Sequence, residues 1–292
     1  MSELKVGVLG LGAMGRPMAC NLASAGLLEA VWNRTSEKAI SFASEYGSIA
    51  AASPAALAER CNVILTCVSA DDDLREVVGQ VQTALNRGDI IVDTSTVNPG
   101  TAKSLSVQLA EFGVGFVDAP VSGGVEGAVR GTLSVMAGGD SADLERISPV
   151  LGAISATVTH MGPVGSGQAT KAVNQVIVAG VAECVCEALA LSEKLNLPSV
   201  RLLSVLGAGA AGSWFLEHRG ASMLEDRFDT GFKPALLLKD LKIVRELAQD
   251  LDIELNTVDA AIRDYECLLA GGNEDNDISG LIRLKRGSET GK

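Results

Sequence analysis

Residues 4–15 constrain this chain more than any other stretch. Residues 4–9 (LKVGVL) form a short apolar run of strand type. The run ends in Gly10-Leu11-Gly12-Ala13-Met14-Gly15, and residues 16–25 continue with a helical pattern. Gly-x-Gly-x-x-Gly where a strand turns into a helix is the context a dinucleotide fingerprint requires. Gly10 permits the tight turn, Gly12 lets backbone approach a pyrophosphate, and Gly15 lets the helix pack closely on the strand. The helix start then presents N–H groups and a positive dipole end to the phosphates. The same spacing also occurs at turns that are tight for packing alone. The strand before it, the helix after it and the N-terminal position favour the nucleotide reading.

A chain of 292 residues is long for a single core and predicts two domains. The first half alternates strand and helix patterns: strands at residues 29–33, 62–68, 89–93 and Gly115–Asp118, helices at 37–46, 53–58, 72–85 and 100–112. Two further β-like segments, 132–137 and 156–160, flank a short helix at 142–150. Alternation of this kind predicts an α/β, doubly wound parallel sheet, a Rossmann domain over residues 1–163. Beyond the glycine-rich bend at 162–167 (GPVGSG), strand signals vanish. Helical runs at 168–195, 199–206, 213–224, Pro234–Asp250 and Asn256–Ala270 predict an all-helical domain over 164–292, opened by a long interdomain helix. The tail after Gly271 is polar and reads as loosely held.

Composition narrows the function classes. A formal charge of −12 lacks the basic footprint of a nucleic-acid binder, yet leaves room for a local cationic pocket that takes a small anion. The six cysteines have neither zinc nor thioredoxin spacing, so no metal is expected and buried free thiols are. Cys184 and Cys186 point different ways on a helix and read as packing. The apolar stretch 172–191 is interrupted by Asn174, Glu183 and Glu187, which disfavours a membrane span. With no room for a leader before the first strand, the expected compartment is the cytoplasm.

Three stretches carry candidate chemistry. Asn33-Arg34-Thr35 stands where an NAD site usually places an acid for the ribose 2′-OH. The missing acid and the added guanidinium favour NADP(H), with NAD(H) possible, although an exposed arginine at a strand end is common. Ser122-Gly123-Gly124, in the stretch DAPVSGG, can form a nest of N–H donors for a carboxylate, or simply a glycine-rich hairpin. Lys171 sits among small and apolar residues with Asn174 and Gln175 at i+3 and i+4. A desolvated lysine there exchanges a proton near neutrality, whereas a solvated one near a helix start would do nothing. Lys239-Asp240, after Gly231-Phe232, reads by itself as an ordinary charged helix face. His160 and His218 stand in no catalytic or metal pattern and read as loop or surface residues.

GLGAMGRPMACN at 10–21, DAPVSGG at 118–124, GTLSVMAGG at 131–139, GSGQATKAVNQ at 165–175 and Lys239-Asp240 occur together, in this order. In this the chain resembles the β-hydroxyacid dehydrogenases, over essentially its whole length. That family includes 3-hydroxyisobutyrate dehydrogenase, tartronate semialdehyde (2-hydroxy-3-oxopropionate) reductase and the glyoxylate and succinic semialdehyde reductases. The resemblance implies a small anionic hydroxy or oxo acid as substrate, and dimers or tetramers assembled through the helical domain. It implies Lys171 as catalytic lysine, Ser122, Gly123 and Gly124 as carboxylate cradle, and Asn174 and Gln175 at the substrate. On the cofactor side it implies Leu11, Ala13 and Met14 with the three glycines, Val68, Ser69, Thr96, Phe232 and Lys239. NQVIVA at 174–179 looks most like the tartronate semialdehyde reductases, and Asn33-Arg34-Thr35 like the NADPH-using glyoxylate and succinic semialdehyde reductases. The rivals are a 6-phosphogluconate dehydrogenase, whose helical region is longer, an imine reductase, which lacks the lysine, and a non-catalytic NADP-binding scaffold on the same fold.

Overall fold

Apolar runs too continuous to leave one face in water become the centre of a parallel sheet. The computed structural model describes residues 3–229 and 231–287. In it, β1 (Val6–Leu9), α1 (Gly15–Ser24), β2 (Leu28–Trp32), α2 (Ser36–Tyr46), β3 (Ile49–Ala50), α3 (Pro54–Ala58), β4 (Val63–Thr66), α4 (Asp71–Val81), β5 (Ile90–Asp93), α5 (Pro99–Ala110) and β6 (Gly115–Asp118) follow in order. Their strands run parallel in the order β3-β2-β1-β4-β5-β6. Order reverses between β1 and β4, and ligands of such sheets bind in the crevice beyond the carboxyl ends of the strands at that point. Side chains alternate across the sheet. Val6, Val8, Val63, Leu65, Ile90 and Val92 enter one core with Met18 and Leu22 of α1. Leu9, Ile64 and Ile91 enter another with Leu57, Leu74, Val78, Leu105 and Leu109 of α3, α4 and α5.

The sheet continues through β7 (Val121–Ser122), α6 (Gly124–Arg130), β8 (Leu133–Gly138), α7 (Ser141–Arg146), α8 (Ser148–Ile154) and β9 (Ser155–Gly162). β8 lies antiparallel to β6 and β7, and β9 parallel to β8. The single helix expected at 142–150 is two helices, because Pro149 in the first turn of α8 has no N–H to extend α7. The two-residue strands β3 and β7 and the helix α6 lie outside the sequence expectation.

The chain divides into two units, one ending at Lys171 and the other starting at Ala172. The dividing point lies inside α9 (Ser166–Lys194), 29 residues long. In the second unit, α10 (Ser199–Gly207), α11 (Trp214–Leu224), α12 (Pro234–Asp250) and α13 (Asn256–Ala270) are followed by a 3-10 turn (Ile278–Leu281) and α14 (Ile282–Lys285). Their core gathers Ala179, Ala182 and Leu189 of α9 with Leu237, Leu241, Ile262 and Tyr265.

Two sequence expectations are corrected. The tail after Gly271 is anchored through residue 287: Ile278, Leu281 and Ile282 are buried in the helical core. Lys285 Nζ pairs with Glu183 and Asp264 at 2.5 Å each, and Arg286 with Glu193 at 2.8 Å. The tail's polarity therefore reflects ion pairing to neighbouring helices. Nor are all the thiols buried: the six cysteines are free, Cys61 and Cys186 are buried, and Cys184 and Cys267 are exposed.

Candidate active site

At the turn between β1 and α1 the three glycines differ physically. Gly10 has φ +100°, a left-handed backbone, and an added Cβ there would collide with the Cys67 carbonyl oxygen. At Gly15 an added Cβ would collide with the Gly10 carbonyl oxygen. At Gly12 it would meet nothing within 4 Å, and Gly12 and Ala13 are exposed. The residues thus fit a dinucleotide: two glycines shape the turn, and the third keeps open the space a pyrophosphate would use. No side chain caps the start of α1 at Met14. Asn33, at the end of β2, accepts the Leu11 N–H through Oδ1 at 2.9 Å and donates to the Thr35 carbonyl at 3.0 Å. It braces the turn. Arg34 is 75% exposed in its side chain and holds Asp73 at 3.1 Å.

The loops after β4 and β5 are tied to each other. Val68 N–H donates to Ser95 Oγ at 2.9 Å, while Ser69 is exposed and Thr96 half-buried. Asp93, fully buried at the end of β5, accepts the Thr66 hydroxyl at 2.7 Å and the Ser95 N–H at 3.2 Å through Oδ1. Burial pushes its carboxyl up to about 6 against these hydrogen bonds.

Asp118, paired with Asp93 in the strand register and also fully buried, grips the start of α9. Its Oδ1 accepts the Gly165 N–H and its Oδ2 the Gln168 N–H, both at 2.8 Å. Burial pushes it up to about 6 as well. An added Cβ on Gly138 would lie 2.5 Å from Asp118 Oδ1, and one on Gly167 2.9 Å from Oδ2, so glycines make room for the carboxylate. Four residues beyond Gly167, Lys171 is 7% exposed. Ser122 closes β7, and Gly123 and Gly124 take φ values of +130° and +62° where α6 begins. The hairpin alternative and the nest share this shape: β7 does pair with β8, and its exit needs glycine twice.

In the second unit, Asn174 Nδ2 donates to Gln175 Oε1 at 2.8 Å, and Gln175 Nε2 donates to Asp240 Oδ2 at 2.7 Å. Asp240 Oδ1 lies 2.9 Å from Lys239 Nζ. One chain of polar contacts thus joins three expected site residues through a buried aspartate. Gln175 is 1% exposed, with both ends of its amide engaged inside the protein. The Phe232 and Gly231 N–H groups both donate to buried Asp277, at 2.9 and 3.0 Å.

Sequence reasoning passed over Asp93, Gln168, Asp240 and Asp277 as site residues. For Asp93 and Asp240 a signal was available: a carboxylate beside an apolar run, where burial without partners would be costly. His160 is exposed on β9, and His218 is exposed and stacked on Trp214 at 4.3 Å. No cluster that could hold a metal ion occurs among the described residues.

Residues 5–162 match the NAD binding domain of 6-phosphogluconate dehydrogenase, and residues 165–285 the NAD-binding domain of NADP-dependent 3-hydroxyisobutyrate dehydrogenase. The 2-hydroxy-3-oxopropionate reductase of Escherichia coli is 35% identical over 96% of each chain. The 3-hydroxyisobutyrate dehydrogenase of Mycobacterium tuberculosis, solved with L-serine, superposes with a TM-score of 0.86 at 30% identity, covering 98% of this chain and all of that one. Psf3, solved with NADP+ and 2-OPP, superposes with a TM-score of 0.87 at 26% identity, covering 96% of this chain and 99% of that one.

Proposed function

The chain belongs to the β-hydroxyacid dehydrogenase family, and on that premise we propose that it interconverts a small hydroxy acid and its semialdehyde or oxo acid, preferring NADP(H), with Lys171 as general acid and base. Family membership makes it an oxidoreductase that binds a nicotinamide cofactor. The proposed substrate class is that of 3-hydroxyisobutyrate, tartronate semialdehyde, succinic semialdehyde and glyoxylate. One observation carries the reading: Lys171 is buried on a helix whose first turn is held by Asp118. A buried ammonium with a fixed backbone is suited to handing over a proton, and costly to keep for stability alone.

The bound nicotinamide supplies or accepts the hydride. The protein's own residues do the rest. Lys171 gives a proton to the carbonyl oxygen in reduction and takes it from the hydroxyl in oxidation. The Ser122–Gly124 backbone anchors the carboxylate, and Asn174, one helical turn beyond Lys171, holds the reacting oxygen. Gln175 orients the Asn174 amide, a role its buried bonds to Asn174 and Asp240 support. Gly10–Gly15, Val68, Ser69 and Thr96 hold the cofactor on the first unit. Arg34 and Thr35 read the 2′-phosphate. The surface pairing of Arg34 with Asp73 is of a kind that contributes only about 0–1 kcal/mol, so the guanidinium is released cheaply.

The assembly we propose is a homodimer or homotetramer through the helical unit. The exposed apolar side chains Val173, Ile177 and Leu191 of α9, each at least 60% exposed, support it. That helix has the length and hydropathy of a membrane span. Half of its most apolar window is buried in the protein, and it carries Lys171, Glu183 and Glu187, which supports a cytoplasmic enzyme.

The test is a screen of small semialdehydes, glyoxylate and 3-hydroxyisobutyrate with NADPH and NADH in parallel, followed by Lys171→Ala on the best substrate. Turnover should fall by about 10²–10⁴ with NADPH binding retained. Lys171→Arg should be nearly as damaging, since a guanidinium stays protonated. A folded, cofactor-bound alanine variant turning over at close to the parent rate removes Lys171 from the mechanism.

A further inference from the structure

A buried run of hydrogen bonds leaves α9 just before Lys171, and the mechanism above makes no use of it. Gln168 is its centre, 2% exposed and three residues before Lys171 on the same helix face. Its Nε2 donates to the Ser95 carbonyl at 2.8 Å, with Asp93 Oδ2 further off at 3.5 Å. Its Oε1 accepts the Val97 N–H at 3.1 Å. The amide therefore clasps the peptide groups on either side of Thr96. Ser95 passes the connection on, its hydroxyl accepting the Val68 N–H at 2.9 Å. One side chain on α9 thus holds the loop after β5 directly and, through the Ser95 hydroxyl, is linked to the loop after β4.

The chemistry of the residue is specific. Only a primary amide of this length both donates to Ser95 and accepts from Val97. Glutamate would set an oxygen against the Ser95 carbonyl, beside buried Asp93. Asparagine is one methylene too short. A residue needed merely to fill space would be apolar, since a buried amide that loses its partners costs about 1–3 kcal/mol. Fully satisfied buried networks of this kind fix one geometry.

We propose that Gln168 is a positioning residue: it keeps the turn of α9 that carries Lys171 in register with the loops after β4 and β5, so that a nicotinamide dinucleotide seated on those loops orders that turn. The proposal rests on the reading of Lys171 and of the Val68–Ser69 and Thr96 loops given above.

The experiment follows amide hydrogen exchange of the full chain with and without NADPH, for the parent and for Gln168→Met, which keeps the reach and removes both hydrogen bonds. In the parent, NADPH should slow exchange over residues 165–171 by about tenfold or more, the signature of a local opening made rarer. In Gln168→Met, exchange at 95–97 should rise without cofactor. NADPH, still bound by its fluorescence, should then no longer slow residues 165–171. Equal slowing in both proteins overturns the proposal, and so does a parent whose 165–171 segment ignores NADPH. Should the methionine variant not fold, Gln168→Leu carries the same comparison, removing both hydrogen bonds without placing a charge beside Asp93. A purely structural role would lower the melting temperature and leave the cofactor response intact. Because the exchange measurement needs no substrate, a failed substrate screen or an active Lys171→Ala enzyme sinks the proposed function without deciding this one.

Discussion

Replacing Gly12 by alanine should separate folding from cofactor binding, because the three glycines of the first turn are needed for different reasons. At Gly12 the added methyl meets no protein atom within 4 Å, and the residue is exposed with no left-handed backbone to strain. A glycine-to-alanine change at a compatible position gains about 0.4–1 kcal/mol by narrowing the unfolded ensemble. Gly12→Ala should therefore melt at or slightly above the parent temperature. The same methyl occupies the space through which backbone approaches a pyrophosphate, and displacing a phosphate from close N–H contact should cost about 1.5–3 kcal/mol, the worth of a hydrogen bond to a charged group. NADPH affinity measured by fluorescence titration should accordingly fall by about ten- to a hundredfold. Gly10→Ala is the control with the opposite signature. It must hold a Cβ at φ +100° against the Cys67 carbonyl, so the melting temperature itself drops. If Gly12→Ala binds NADPH like the parent, the turn is a packing feature and the dinucleotide assignment of Gly12 is wrong.

Arg34→Ala should raise the Michaelis constant for NADPH by about ten- to a hundredfold, the loss of one charge-assisted hydrogen bond, while that for NADH changes little. Equal effects on the two cofactors would remove Arg34 from 2′-phosphate recognition. Asp93 and Asp118, pushed up to about 6 by burial from an ordinary 3.8, make the folded chain take up protons between about pH 6 and 4 that the unfolded chain does not. Their contribution to stability is therefore most unfavourable above pH 6 and is relieved as pH falls towards 4. Asp93→Asn keeps the acceptor for Thr66 and Ser95, so thermal melts at pH 5–8 should show a flatter pH response, with up to about 3 kcal/mol regained at pH 8. A slope equal to that of the parent would mean that Asp93 is not the group titrating.

What could be read from sequence, and what could not, divides along the range of the interactions. The glycine turn, β6 at Gly115–Asp118, α12 at Pro234–Asp250 and α13 at Asn256–Ala270 stand where periodicity and punctuation put them. Ser53 caps α3 through the Ala56 N–H, as its position before Pro54 implied. β3 and β7, two residues each, are too short for any period to register. The terminal turn hides its three buried aliphatics among charges whose partners, such as Glu183 and Glu193, lie about a hundred residues away on α9. Lys171 drew notice because a lysine in an apolar helix is locally anomalous. Gln168 did not: an amide at a helix start is unremarkable until Ser95 and Val97, more than seventy positions earlier, are found on either side of it.

The placement of Asp93 and Asp118 shows how this fold turns architecture into chemistry. Parallel strands buried on both faces must end somewhere, and their carboxyl ends leave N–H groups and loop backbone to be satisfied. Placing a carboxylate there is unfavourable for stability, as the raised values of both groups record. Each carboxylate nonetheless accepts two or more hydrogen bonds that an apolar residue could not take. Asp93 ties Ser95, in the loop after β5, to Thr66 at the end of β4, and Ser95 in turn holds Val68. Asp118 fixes the first turn of α9, with Gly138, Gly165 and Gly167 giving it room or N–H groups. The two aspartates are neighbours in register across β5 and β6, so the loop that would hold a cofactor and the helix that carries Lys171 are anchored on adjacent strand ends. Stability is lost at the two positions where geometry matters most, which is the pattern expected when buried polar groups are kept for precision of placement.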